Sequence, residues 1–188
     1  MTRIHDFGRR YSSTAQLLHW GSALLVGCAW VVGSFGDDLP KGSIRELGEF
    51  IHVSAGQLIV ALLLTRLVWR AISPPPPVEA TPLGRWADHG GRIMHFVLYA
   101  LLAAVPIAGV VTLFAGGDGL PLFGLGEIPS PWLKDKAFEH AAKEAHETLA
   151  NTLIILAMLH AGAALVHHYY FEDRTLIRML PSIFGPEA

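Results

Sequence analysis

Two histidines bracket an almost wholly apolar segment in the last third of the chain. The segment "HETLANTLIILAMLH" covers residues 146 to 160, with His146 and His160 at its two ends. In an α-helix, fourteen steps of about 100° return to nearly the same face, roughly 21 Å further along the axis. A buried imidazole costs free energy unless something binds it, and neutral imidazole is a common metal ligand. The spacing therefore predicts one helix face that presents two candidate ligands at two depths.

Four long apolar runs provide the elements that would position these side chains. The 188 residues are 52% hydrophobic and 16% charged, whereas soluble domains average about 25% charged residues. Each run is close to the ~20 residues that a helix needs to cross a bilayer, and the runs lie at about 15–35, 51–72, 93–115 and 148–171. Because backbone within lipid must satisfy its own hydrogen bonds, each run is expected to be helical. The sequence predicts an all-α integral membrane four-helix bundle, forming a single domain over residues 1–188.

Positive charge is distributed unequally over the segments that connect the runs. The first and third connections hold five of the fourteen Lys and Arg residues, whereas the N-terminal segment, the proline-rich second connection with its flanks, and the C-terminal tail hold the rest. These nine are Arg3, Arg9, Arg10, Arg66, Arg70, Arg85, Arg92, Arg174 and Arg178. Since cytoplasmic segments accumulate Lys and Arg, both termini are predicted to be cytoplasmic.

With this orientation, four intramembrane histidines pair by depth. His19 lies about a turn inside the inner end of the first run, at the depth of His160, whereas His52 and His146 both lie near the outer side. Two imidazoles on facing helices suit the axial positions of a haem, whose porphyrin supplies the other four ligands. A closed zinc site usually needs cysteines, and a covalent haem site needs two, but the chain has only Cys28. The pattern favours an inner and an outer non-covalent haem.

Other interpretations of these residues stay open at this point. Any one histidine can be an interface or hydrogen-bonded core residue, and intramembrane histidines also serve as proton relays in transporters. Gly21, Gly56 and Gly162 lie near the candidates and would permit close approach of a macrocycle, although glycine is also common at helix contacts in membranes. Pro106 and Gly109 predict a kink in the third helix.

Several motifs resemble those of the bacterial cytochrome b561 family, over nearly the whole chain. They are "LLHW", "IHVSAG", "HETLAN" and "LHAGAALVHHYYFEDRTLIRMLP". The resemblance implies a di-haem inner-membrane cytochrome that exchanges electrons with ubiquinone or another quinone and, as in characterised members, oxidises superoxide on the outer side. It also implies that the axial ligands of the two b-type haems are His19, His52, His146 and His160.

Four further side chains are candidates for a role around the haems. His167, seven residues after His160, is a candidate proton partner for the quinone or an interfacial histidine, and His95 is a second candidate for that role or an alternative ligand. Arg66, fourteen residues after His52, is expected to pair with a haem propionate or to snorkel to the interface. Lys143, one turn before His146, would attract an anion or is a simple exposed lysine.

Together with this resemblance, the sequence leads us to expect a superoxide:quinone oxidoreductase in contact with membrane lipid, and no nucleic-acid partner. The alternative is a non-enzymatic relay or anchor subunit that passes quinol electrons to a separate periplasmic redox protein.

Overall fold

The computed structural model of the protein describes residues 10–77 and 84–181, and these residues form four long helices. Helix α1 covers Ser13–Phe35, α2 covers Ser43–Ile72, α3 covers Arg85–Ala115 and α4 covers Lys136–Tyr169. All four are long and apolar enough to cross a membrane. The predicted all-α membrane bundle is confirmed, whereas the cytoplasmic placement of both termini stays a prediction.

Three of the helices begin well before the apolar runs that predicted them. The fourth run starts near residue 148, but α4 begins at Lys136, where the Asp135 carboxylate accepts hydrogen bonds from the backbone N–H groups of Ala137 and Phe138 at 3.0 and 3.1 Å. This carboxylate caps the first turn and lies at the positive end of the helix dipole. The apolar runs therefore mark the part of each helix suited to lipid, and the polar flanks continue the same helices beyond it.

The helices pack as two antiparallel pairs. Helix α1 packs mainly against α2 and α3 mainly against α4, and the two pairs meet more loosely through α2 with α3 and α1 with α4. We call this looser contact between the two pairs the seam. A small apolar core lies along it, formed by Ala29, Ala55, Ile59, Leu63, Leu101, Leu102 and Leu153. Each histidine pair predicted from depth would join helices on opposite sides of the seam.

The connection between α3 and α4 contains a short antiparallel hairpin that the sequence analysis did not predict. Strand β1, Leu120–Pro121, pairs with β2, Glu127–Ile128. The turn between them includes Gly124 with a φ of 77°, which glycine adopts without steric cost. The side-chain amide of Gln57 in α2 donates a hydrogen bond to the carbonyl of Pro121, so the hairpin is fastened to the second helix.

The last described residues, 171–181, cross the end of the bundle at which α1 begins and α2 ends, and we call them the C-terminal segment. The indole N–H of Trp20 in α1 donates to the carbonyl of Met179 at 2.9 Å. Arg178 is buried and donates from its guanidinium to the carbonyl of Pro77, just after α2, at 2.7 Å. The segment continues directly from α4, so it ties this helix to α1 and α2 across the seam.

Candidate functional site

His52 and His146 face each other across the seam near one end of the bundle, and we call them the outer pair. Their ring centroids are 5.9 Å apart and their planes are inclined by 84°. A metal bound by two imidazoles places the ring centroids roughly 6 Å apart, because each metal–nitrogen bond is about 2 Å long. The separation of the outer pair is therefore suited to two axial ligands of one iron.

Both imidazoles of the outer pair are held by backbone carbonyls. His52 Nδ1 lies 2.8 Å from the carbonyl oxygen of Ala29 in α1, and His146 Nδ1 lies 2.9 Å from that of Val105 in α3. Since a carbonyl only accepts, each Nδ1 must carry the proton and donate it. This fixes the tautomer in which Nε2 keeps its lone pair, as metal-binding histidines require.

Two glycines make room for these hydrogen bonds. Gly33 and Gly109 each lie four residues after the accepting carbonyl, on the same helix face. A Cβ atom at Gly33 would lie 2.6 Å from Cε1 of His52, and one at Gly109 would lie 3.2 Å from Cε1 of His146. The sequence analysis did not identify Gly33 and assigned Gly109 only to a kink. At the three glycines that it named, Gly21, Gly56 and Gly162, an added Cβ would meet open space or an ordinary contact. Of these three, only Gly56 lines the cavity described next.

The outer pair lines a narrow cavity along the seam, partly open to the outside of the bundle. Apart from the two imidazoles and the indole of Trp30, the side chains around it are apolar. The indole N–H of Trp30 in α1 donates to the amide oxygen of Asn151 in α4 at 2.9 Å, linking these helices between the two histidine levels. An apolar cleft with two inward imidazoles fits a haem, whose macrocycle is largely apolar.

His19 and His160 form the corresponding inner pair, with ring centroids 6.3 Å apart and planes inclined by 70°. Their separation also suits one iron. Their anchoring differs, because neither imidazole donates to a backbone carbonyl within the described residues. Instead, a guanidinium nitrogen of Arg66 lies 3.5 Å from His19 Nδ1, and the guanidinium stacks over the ring of Tyr99 at 5.2 Å from its centroid. Arg66 therefore lies at inner depth beside the pair, where its spacing from His52 predicted it.

A third imidazole lies beside the inner pair. The ring centroid of His95 in α3 is 5.3 Å from that of His160, and the His95 side chain is exposed. This separation is shorter than two imidazoles on opposite sides of one iron require, so the geometry favours His19 over His95 as the axial partner of His160. The described residues contain no group of three or more His, Cys, Asp or Glu side chains that converge on one metal position.

His167, near the end of α4, has a carboxylate partner that the sequence analysis did not identify. Its Nδ1 lies 2.5 Å from Oδ2 of Asp173, and the two side chains are 18% and 6% exposed. Burial raises the pKa of the Asp173 carboxyl. The hydrogen bonds from His167 and Thr175 lower it by more than burial raises it, so the pKa lies below its ordinary value. Asp173 is therefore ionised at neutral pH.

Lys143 lies one turn before His146 on α4, as its spacing predicts. Its ammonium is 3.8 Å from a carboxylate oxygen of Glu147, and both side chains are more than half exposed. An exposed ion pair of this kind contributes little to stability. It does reduce the positive charge that an approaching anion would meet.

Comparison with known proteins gives matches over almost the whole chain. Residues 10–182 match the family model described as prokaryotic cytochrome b561. The chain is 33% identical to cytochrome b561 homolog 1 of Escherichia coli, over 92% of this chain and 97% of that protein. It is 34% identical to the probable superoxide oxidase CybB of Yersinia pestis, over 94% and 99% of the two chains, and 34% identical to cytochrome b561 homolog 2 of Escherichia coli, over 91% of each.

Proposed function

Because the chain belongs to the prokaryotic cytochrome b561 family, whose members are haem b proteins of the bacterial inner membrane, we propose that it carries electrons across that membrane through two haems. His52 and His146 hold the outer haem, and His19 and His160 hold the inner haem. The donor is superoxide on the outer side and the acceptor is a membrane quinone on the inner side, with both termini in the cytoplasm. The haems supply the one-electron chemistry when bound, and the protein positions them.

The observation that carries this proposal is the arrangement of two histidine pairs at two depths of one bundle. Their ring separations of 5.9 and 6.3 Å each leave room for one iron. Both pairs take one imidazole from α4 and one from the opposite side of the seam. Two irons held at two depths would divide the path of an electron across the membrane into shorter transfer steps.

Arg66 and Lys143 are proposed to act through their positive charge and not as iron ligands. Arg66 pairs with a propionate of the inner haem, because a guanidinium binds a carboxylate with two parallel hydrogen bonds. Lys143 attracts the superoxide anion toward the outer haem from its position one turn further out on α4. The name of the Yersinia pestis relative, a probable superoxide oxidase, supports this choice of donor.

The reaction balances with two superoxide ions for each quinone. Each superoxide loses one electron and leaves as dioxygen, and the quinone gains two electrons and two protons to become a quinol. The protons come from the inner side, where His167 is the proposed donor and the exposed imidazole of His95 is a second candidate.

Stopped-flow mixing of the oxidised, haem-loaded protein with superoxide tests the proposal. We expect both haems to be reduced much faster than superoxide dismutates, and the rate to fall with ionic strength because an anion is attracted. Addition of a soluble quinone should then reoxidise them. If superoxide reduces the haems no faster than it dismutates, superoxide is not the donor. Reduction by quinol in that case would favour the relay or anchor subunit that serves a separate redox protein.

A further inference from the structure

We propose that Asp173 is a positioning residue that fixes the tautomer and orientation of His167 for proton transfer to the quinone. This inference rests on the proposed function, because it needs a quinone at the inner side. The contact that carries it is the 2.5 Å separation between His167 Nδ1 and Asp173 Oδ2.

The chain reverses sharply after α4 to bring the carboxylate under this imidazole. Phe171 N–H donates to the carbonyl of Val166 at 3.2 Å, and Asp173 N–H donates to the carbonyl of His167 at 3.1 Å. Between them, Glu172 has a φ of 52°, a left-handed conformation that is unfavourable for a residue with a side chain. Strain held at one residue to place its neighbour is a common sign of a built site.

The same turn holds the carboxylate itself in a fixed orientation. The backbone N–H of Thr175 donates to Asp173 Oδ1 at 2.9 Å, which leaves Oδ2 for His167. Because an ionised carboxylate only accepts, His167 Nδ1 must carry a proton toward it. His167 Nε2 is then the nitrogen left to exchange a proton with the quinone.

His168 shows what a simple interfacial histidine looks like at the same end of α4. Its ring packs against that of Tyr169, with centroids 4.7 Å apart, and among the described residues no carboxylate forms a hydrogen bond with it. A histidine that only faces lipid headgroups needs no buried carboxylate. The 6% exposure of Asp173 thus distinguishes His167 from its neighbour.

The proton transfer balances with one cycle for each electron. The N–H bond at His167 Nε2 breaks as an O–H bond forms on the quinone, whose electron the bound inner haem would supply. The neutral imidazole then takes a proton from water on the inner side. Two cycles deliver the two protons and two electrons that a quinol needs, and Asp173 remains ionised throughout.

The test compares Asp173→Asn with Glu172→Gln, which removes a carboxylate from the adjacent, exposed position of the same turn. Haem-loaded protein is reduced with limiting dithionite and mixed with increasing concentrations of a short-chain quinone; in this single turnover, kcat denotes the limiting rate of haem reoxidation and KM the quinone concentration that gives half of it. We expect Asp173→Asn to lower kcat at least tenfold and to increase the solvent isotope effect, with KM and both haem spectra changed little. Glu172→Gln should stay within twofold of the wild type. Asp173→Glu, which restores the charge, should recover part of kcat.

A second measurement does not depend on turnover. In protein labelled with ¹⁵N-histidine and studied at alkaline pH, the neutral imidazole of His167 in the wild type should be the Nδ1–H tautomer, and Asp173→Asn should show a mixture. The resonance is assigned by its loss in His167→Gln.

The outcomes separate this inference from the proposed function. If His167→Gln slows quinone reduction but Asp173→Asn does not, Asp173 has only a structural role and the quinone assignment stands. If Asp173→Asn changes neither kcat nor the tautomer, the inference is wrong even where His167 matters. If the wild type does not reduce quinone, both fail together.

Discussion

The outer and inner histidine pairs have similar separations but are held by different partners. The outer imidazoles donate to the carbonyls of Ala29 and Val105, which belong to rigid helices. The inner pair has charged and ionisable neighbours instead, with Arg66 beside His19 and His95 beside His160. A carbonyl can only accept a hydrogen bond, so it fixes one tautomer of the imidazole. A guanidinium can only donate one, and that of Arg66 points at the His19 nitrogen that would carry the proton in an iron ligand.

This difference separates a preformed site from an adjustable one. The outer imidazoles are already in the tautomer that iron binding needs. For His19 to bind iron through Nε2, its Nδ1 must take up a proton, and Arg66 must then turn away from it. The released guanidinium has a natural partner in a haem propionate. The outer site is thus set by helix geometry and the inner site by electrostatics.

Removal of an axial imidazole should have the largest effect. We expect the wild type to contain two haems b per chain, both extractable by acidified organic solvent because Cys28 alone cannot form a covalent site. His52→Ala or His146→Ala should lose the outer haem, and His19→Ala or His160→Ala the inner haem. The double variant His52→Ala/His160→Ala should lose both. Pyridine haemochrome assay against protein concentration measures this, and one haem per wild-type chain would contradict the pairing.

The glycines should affect only the outer site. In Gly33→Ala, a Cβ atom 2.6 Å from His52 Cε1 must displace the imidazole, and we expect a large loss of outer haem. Gly109→Ala, with 3.2 Å, should weaken haem binding less, by roughly tenfold for a strain of about 1.4 kcal/mol. Gly27→Ala is the matched control on α1, since a Cβ there meets nothing within 4 Å. Haem titration of apoprotein would refute the argument if all three variants behaved alike.

Substitution of Arg66 should change the reduction potential of the inner haem. Loss of a nearby positive charge destabilises the reduced form, so Arg66→Leu should lower the inner potential by roughly 50 mV. Arg66→Lys keeps the charge and should recover part of the shift. Redox titration followed in the visible spectrum would show the outer potential almost unchanged. Equal shifts of both potentials would mean that Arg66 does not distinguish the sites.

Lys143 should give the smallest effect, because Glu147 already offsets its charge. Lys143→Glu is expected to slow reduction by superoxide about threefold, whereas Glu147→Gln should accelerate it. Both effects are small because solvent screens the two exposed charges. The differences should vanish at high salt. Stopped-flow rates that are identical for the two variants would leave Lys143 as an ordinary surface lysine.

The sequence alone predicted the parts of this comparison that depend on one helix at a time. Apolar runs predicted four membrane helices, and the spacing from His52 placed Arg66 at inner depth on a similar face. The backbone partners of His52 and His146 could not be predicted, because they depend on which helix packs against which. Gly33 is visible in the sequence of α1, but the reason for a glycine there becomes clear only once His52 is known to pack against it.

Asp173 illustrates a second limit. Six residues separate it from His167, and a continued helix would have placed it on another face. Only the reversal at Glu172, a residue that rarely adopts a left-handed conformation, brings the two together. The strands at 120–121 and 127–128 were missed for a similar reason, since two-residue strands carry no periodicity.

The sharing of α4 by both histidine pairs has a consequence for biosynthesis. Helices enter the membrane in chain order, so α1 and α2, with His19 and His52, are in place before α4 leaves the ribosome. Neither proposed haem can gain its second axial ligand until this last of the four helices inserts. Cofactor capture and the closing of the bundle are therefore one late event. A cell short of haem would accumulate chains whose two helix pairs are joined by protein contacts alone, such as the narrow apolar core, the Trp30–Asn151 hydrogen bond and the C-terminal segment.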